Sequence, residues 1–273
     1  MLIIQNTVTL NMNELIKFPR TRHIESSRFQ PGDEDLADIP FSSISGKTVI
    51  VEEKVDGANC AVSFSDTGEL LIQSRGHYLT GGYRERHFDL LKKWAAAHSD
   101  AMLNLLGTRY IMFGEWLYAK HTIYYNALPH YFMEFDILDR ETGLYLDTPA
   151  RKELLSKYPF ITSVPLIYNG IIDSLKTLPA LTGNSSFIAG NHIDNMKEDA
   201  LRRKIDPHRA EKETDKSSLM EGLYIKIEEG GFVRERMKYV RSDFLSIVTD
   251  SESHWVSRPI IPNRLIDDSV LWR

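Results

Sequence analysis

The sequence predicts an α+β fold built mainly from antiparallel strands. Three observations predict it: short β-branched or alternating runs bounded by turn residues, helical segments set between them, and a long hairpin near the end. Residues 1–47 form an N-terminal lead-in expected to pack on the main domain, and residues 20–47 are rich in Arg, Ser, Pro, Gly and Asp. The core spans 48–241. It opens with TVIVEEK, Thr48 to Lys54, a β-branched strand ended by the Val55-Asp56-Gly57 turn. Ala58 to Phe64 alternates like a strand, Ser65 to Gly68 turns the chain, and Glu69 to Gln73 is a third strand. Phe88, Leu91, Trp94 and Ala95 recur at helical spacing within 85–98. Strands follow at Tyr110 to Tyr118 and Tyr131 to Leu138, then a turn from Asp139 to Gly143. Thr148 followed by Pro149 reads as an N-cap with proline at the first helical position, opening a helix to about Tyr158. Residues 182–220 carry the densest charge run, Arg202 to Lys216, and receive no element. Residues 242–273 are a short C-terminal extension with no separate domain, including Trp255 and the stretch RPIIPNRL.

The closing hairpin, Leu223 to Glu228 and Phe232 to Arg241, makes a sharper prediction. Leu223, Ile225 and Ile227 face a core, as do Val233, Met237 and Tyr239. A two-residue turn at Gly230-Gly231 without any irregularity would put these sets on opposite faces. An odd-length loop, Glu229 to Gly231, or a bulge is therefore expected. Either gathers Lys226, Arg234, Arg236 and Lys238 on the other face, a cluster able to bind phosphate and to lower the pKa of a nearby lysine.

Composition excludes several classes. No apolar run approaches the roughly 20 residues that span a bilayer. The first residues lack a basic n-region and a small-residue cleavage site, so secretion is not expected. The single cysteine, Cys60, excludes a disulfide scaffold within the chain and fits a reducing cytoplasm. A net charge of −5 means no basic coat, but gripping one phosphate end needs only a local cationic cluster. No Walker-type loop is present, and His121, His130, His192 and His208 show no metal-ligand spacing. Tyr124 and Tyr125, with Lys120 and His121, read either as packing or as a stacking surface for a nucleotide end. Arg20, Arg22, His23, Arg28, Arg84, Arg86, Lys92 and Lys93 read as solvated surface.

The chemistry concentrates in Glu53-Lys54-Val55-Asp56-Gly57-Ala58-Asn59. A lysine exposed at a strand end by a tight turn can act as a nucleophile once its ammonium is destabilised. Further blocks follow in order: Ser74-Arg75-Gly76, Phe113-Gly114-Glu115, Phe132 to Asp136, Glu221 to Lys226, and Arg236-Met237-Lys238. Together they resemble the covalent nucleotidyltransferases, the polynucleotide ligases and capping enzymes. Asn59, the Phe-Asp strand and the terminal Lys238-Tyr239 are most similar to the RNA ligase 2 family of ATP-dependent RNA ligases.

That resemblance implies an adenylation domain whose antiparallel sheets flank an ATP cleft. It implies Lys54 as the nucleophile that forms a lysyl-AMP, which is passed to a 5′-phosphate and then displaced by a 3′-OH. By the same resemblance, Glu115 holds the ribose, Phe135 stacks on adenine, and Arg75 reaches ribose or phosphate. Lys226 and Lys238 neutralise the α-phosphate, Glu221 helps hold Mg²⁺ (Mn²⁺ substituting), and Glu53 contacts adenine through its backbone. Asp56 and Asn59 orient the lysine. Arg236 stands where these ligases commonly carry a lysine, which keeps the charge but changes its shape. RNA or nicked duplex ends are the implied partners, and with so short an extension a homodimer or accessory protein would help capture them. The alternatives are a small ATP-dependent DNA ligase and a non-catalytic nucleic-acid-binding module that retains the pocket.

Overall fold

The computed structural model describes residues 14–29, 36–244 and 259–273. Two sheets dominate. The first has the order β1-β11-β10-β2-β9, from Arg22–His23, Phe232–Val240, Gly222–Glu229, Thr48–Lys54 and Leu166–Ile171. The second runs β4-β3-β5-β6-β7, from Leu70–Ser74, Ala58–Phe64, Tyr110–Trp116, Phe132–Asp139 and Leu144–Tyr145, with β8 (Thr162–Ser163) beside β6. Neighbours are antiparallel except β1 with β11 and β6 with β8. Lys54 ends a strand of the first sheet, and Ala58 begins one of the second. The turn between them is therefore the crossing point from sheet to sheet, which places Lys54 where the two meet.

The amphipathic segment divides into α1 (Asp89–Ala97) and α2 (Ser99–Leu106), burying Leu91, Trp94 and Ala95, then Met102, Leu105 and Leu106. These side chains join Val62, Phe64 and Met112 in the core of the second sheet. The first sheet has its own core on its far side, where Val49, Val51, Leu223, Ile225, Met237 and Tyr239 meet Ile24, Ile39 and Ile44 of the lead-in. Phe18 packs between the sheets with Phe113, Leu138 and Tyr224.

Three local readings change. Helix α3 (Thr148–Leu155) is capped by Asp147, whose Oδ1 accepts from the Ala150 amide at 2.9 Å, so Thr148 is already helical and Pro149 is its second residue. The hairpin closes with a two-residue turn in which Gly230 and Gly231 both take positive φ, 63° and 84°, suited to the twist of the strands. Register is restored by a bulge: Glu228 pairs with Val233 but Ile227 pairs with Glu235. The two-residue turn itself sets Val233 on the face of Glu228, with the bulge lying beyond that pair. The bulge removes Arg234 from the cationic row; its Nε donates to the Glu229 carbonyl at 2.9 Å on the exposed surface. The unassigned region, 182–220, holds α5 (His192–Arg202) and α6 (Pro207–Lys212), while α4 (Thr177–Leu181) and β9 precede it. No helix among the described residues is long and apolar enough to cross a membrane. Trp255 and the side chain of Arg84 lie outside what the structure describes.

Candidate active site

The register of the first sheet sets Gly222 opposite Lys54, which brings Glu221, one residue earlier, to the lysine. The Lys54 Nζ donates to Glu221 Oε1 at 2.6 Å, and the lysine side chain keeps 24% of its surface exposed, enough for a ligand to reach. Gly222 must be glycine because a Cβ there would strike the Tyr239 backbone. Across the crossing, Asn59 pairs with Glu115. Gly57 allows this approach: a Cβ would stand 2.6 Å from Leu117 Cδ2 and 2.9 Å from Glu115 Cγ.

Lys54 thus faces carboxylates. Burial pulls its ammonium pKa down, but the charges of Glu221, Glu115 and Asp56 outweigh burial and raise it. The expectation that a cationic cluster lowers it is corrected: the ligand-free neighbourhood is acidic. Glu115 is pushed up to about 8, first by burial and then by Glu221 and Asp56, against the pull of Lys54 and Arg75. Glu221 is also raised by burial and by Asp56, with Lys54 and Lys238 opposing. Lys54, Asp56, Arg75, Glu115, Glu221 and Lys238 therefore share one electrostatic neighbourhood. Arg75 lies exposed just beyond β4.

Asp56 has a structural task inside it. Its Oδ2 accepts from the amides of Thr122 and Ile123 at 2.7 and 2.8 Å, and its own amide donates to the Tyr125 hydroxyl at 2.8 Å. Tyr124 and Tyr125 are fully buried, with the Tyr124 hydroxyl donating to Asp199 Oδ2 at 2.6 Å, so neither offers a stacking surface. Sequence reasoning missed that this segment cradles the Lys54 turn, because no local pattern links residue 56 to residue 122.

Lys226 and Arg236, expected at the phosphate, lie in a second cluster between the sheets. Lys226 is wholly buried; its Nζ meets Glu52 Oε2 at 2.8 Å, Asp136 Oδ1 at 3.1 Å and the Phe135 carbonyl at 2.6 Å. Arg151 of α3 bonds Glu52 at 2.5 Å and Glu134 at 3.1 Å. Arg236 stands 3.8 Å from Asp136 and 4.0 Å over the Tyr145 ring. Three carboxylates thus face three cations. Burial opposes the charge on Asp136, but Lys226, Arg236 and Arg151 outweigh it and hold its carboxyl below the usual range. In this ligand-free structure Lys226 joins the two sheets.

Phe135 is the extra residue of a bulge in β6, where Phe113 pairs with Asp136 and Gly114 with Glu134. Its ring meets Phe18 edge-on at 5.0 Å and Tyr224 at 6.0 Å, which leaves it half-buried. Glu53 points away from Lys54, on the far face of β2. Its amide donates to the Pro165 carbonyl at 3.0 Å, and burial pushes its carboxyl up to about 7 against a hydrogen bond from Ser185. The last missed contributor is Arg241, whose amide donates to the Glu221 carbonyl at 3.2 Å and whose Nε donates to the Met220 carbonyl at 2.9 Å, steadying the entry to β10.

Comparison with known proteins bears on this geometry. The family profile described as RNA ligase matches residues 47–240. No curated protein matches the chain in sequence. Among solved structures, a variant of Naegleria gruberi RNA ligase with ATP and Mn superposes with a TM-score of 0.50 at 15% identity, covering 77% of this chain and 53% of that one. A second such variant with ATP and Mn gives 0.50 at 17% identity over 82% and 58%, and an apo variant gives 0.51 at 15% over 77% and 53%. At these identities the likeness establishes the fold, and the chain spans about half the length of those structures. The family match begins one residue before β2, ends with β11, and takes in every residue of the Lys54 neighbourhood: the chain belongs to the RNA ligase family.

Proposed function

We propose that the protein is an ATP-dependent RNA ligase that joins a 3′-OH to a 5′-phosphate through Lys54. The observation that carries this reading is the reachable Lys54 amine, held at 2.6 Å by Glu221 where the two sheets meet. In the first step the deprotonated Nζ attacks the α-phosphorus of ATP; a P–N bond forms and the bond to pyrophosphate breaks. An oxygen of the RNA 5′-phosphate then attacks the same phosphorus, the P–N bond breaks, and the amine is free again. Finally the 3′-OH attacks the activated 5′-phosphate, a phosphodiester forms, and AMP leaves.

These steps ask for positioning and charge neutralisation more than for covalent chemistry. Lys238 and Arg75 supply positive charge toward the triphosphate, Glu115, whose charge reaches Lys54, holds the ribose, Asn59 paired with it orients the lysine, and Asp56 fixes the turn. Glu221, whose Oε1 lies beside the lysine, is the carboxylate that would help hold Mg²⁺ or Mn²⁺, hard cations that take oxygen donors; no three carboxylates among the described residues gather as a metal site. A divalent cation there would offset the carboxylate charge that keeps Lys54 protonated and so release the nucleophile. Phe135, half-buried against Phe18 and Tyr224, is the ring expected to stack on adenine. Residence in the cytoplasm, and help from a second copy or accessory protein in holding nicked ends, belong to the same reading.

The test is incubation with α-labelled ATP or GTP and Mg²⁺, then denaturation. Covalent label from ATP, lost in Lys54→Ala, is expected; no label, or label surviving in Lys54→Ala, overturns the reading. Nicked duplexes with RNA or DNA on the 3′-OH side then separate an RNA ligase from a DNA ligase.

A further inference from the structure

We infer that Asn263, in the C-terminal strap beyond the family match, is a positioning residue for the Lys54 turn; the inference rests on the ligase reading above. Residues 259–266 lie against the 117–128 segment as an added layer. Lys120 donates to the Ile261 carbonyl at 2.8 Å, Arg264 to the Tyr125 carbonyl at 2.9 Å, Leu128 to the Arg264 carbonyl at 3.0 Å and Ile266 to the Leu128 carbonyl at 2.9 Å. Outside, the Arg264 guanidinium pins the strap to α5 through Asp199, with Nε to Oδ2 at 2.7 Å.

Asn263 is the inward residue of the strap, 1% exposed, and every polar group it owns is used. Its amide donates to the Tyr118 carbonyl at 2.8 Å, and its carbonyl accepts from the Tyr131 hydroxyl at 2.7 Å. The side chain does what only a carboxamide can do here. Oδ1 accepts from the Tyr125 amide at 2.9 Å, while Nδ2 donates to the Leu117 carbonyl at 2.7 Å. Both contacts lead to the catalytic turn. Tyr125 receives the Asp56 amide on its hydroxyl at 2.8 Å. Leu117 packs directly beneath Gly57, where a Cβ would come within 2.6 Å of its Cδ2. One buried amide thus holds the two supports of the turn that carries Lys54, and neither support is near it in sequence.

Releasing the turn displaces the amine from its line of attack and lowers the rate constant of labelling. A merely structural role lowers the fraction of active protein without changing the rate constant of the fraction that is active.

The experiment is single-turnover labelling of the full chain with α-labelled ATP and Mg²⁺, for wild type, Asn263→Leu, Asn263→Asp, Tyr125→Phe and the Asn263→Leu/Tyr125→Phe pair. Asn263→Leu is expected to slow labelling about tenfold to a hundredfold, with the ATP concentration for half-maximal rate within about threefold of wild type. Asn263→Asp keeps the acceptor for Tyr125 and regains part of the rate. Tyr125→Phe keeps the ring but removes the hydroxyl that holds the Asp56 amide, and slows labelling in the same way; it carries the test if Asn263→Leu does not fold. Losses in the pair fall short of the product of the single losses, because both act on one turn. A wild type that takes no label overturns the ligase reading itself. A labelled wild type with unchanged rate constants in Asn263→Leu and Tyr125→Phe overturns only the role of Asn263.

Discussion

Lys226→Met is the perturbation that most sharply separates a scaffold lysine from a phosphate-binding one. Methionine keeps the volume and removes the charge. The ammonium lies 2.8 Å from Glu52 and 3.1 Å from Asp136, which at an effective dielectric of about 20 corresponds to gross attractions of about 6 and about 5 kcal/mol. Much of that offsets the cost of taking the ammonium out of water, and breaking a buried pair from one side typically costs a net 3–5 kcal/mol or so. For a chain this long the expected fall in melting temperature is roughly 6–20 °C at neutral pH.

The pH dependence carries its own sign. In the wild type Asp136 titrates below its usual range, so the stability it contributes is present at neutral pH and is lost as pH falls through that depressed pKa. Without Lys226 its pKa rises, and the variant is relieved as pH falls through the raised value, so the gap to wild type narrows toward acid. The assay is thermal unfolding followed by tryptophan fluorescence between neutral and mildly acid pH, with Lys54 labelling of the folded protein alongside. A variant that melts within about 2 °C of wild type and yet takes no label would refute the buried-network argument and return Lys226 to the phosphate.

Three further outcomes are expected. Glu53→Gln melts higher than wild type above neutral pH: burial raises Glu53 to about 7, so the stability tied to its protonated form declines as pH climbs from its unfolded value toward 7, a difference of about 3 kcal/mol that disappears below pH ~4; equal melting curves at pH 8 would exclude it. Gly57→Ala forces Leu117 and Glu115 away from the turn and is expected to lower stability by about 1–3 kcal/mol and to slow Lys54 labelling, which calorimetry and single-turnover labelling check together. Asp56→Ala leaves the amides of Thr122 and Ile123 without their acceptor, at about 1–3 kcal/mol each, whereas Asp56→Asn keeps an acceptor oxygen and recovers part of the loss in urea unfolding.

The Lys54 turn and most strands were legible because their signals are local. The β-branched run Thr48 to Lys54, the alternation from Ala58 to Phe64 and the apolar spacing of Leu91 and Trp94 each express a backbone period within a few residues. The hairpin arithmetic went further, since counting apolar positions already required an irregularity; where it fell was settled by Gly230 and Gly231, whose positive φ favours the two-residue turn and pushes the extra residue to Arg234. Helix α5 escaped notice because only Met196 and Ala200 of its residues are buried, too thin an apolar stripe to rise above the charges around it. Strand β9 escaped because it is an edge with Leu166 and Ile171 exposed and Gly170 within it.

The order of the residues by itself determined that a lysine would stand at a strand end before a tight turn, that carboxylates and cations would follow on later strands, and that these blocks resemble an adenylating ligase. Only the tertiary structure decided which charges meet. Lys54 finds Glu221 across 167 positions and Glu52 finds Arg151 across 99, through a strand register that no local period specifies. The same register sent Lys226 to the carboxylates between the sheets and gave Lys54 an acidic neighbourhood. Charge pairing depends on distance in space and on burial, and both are properties of the packed chain, whereas strand and turn preferences are carried by each short segment on its own.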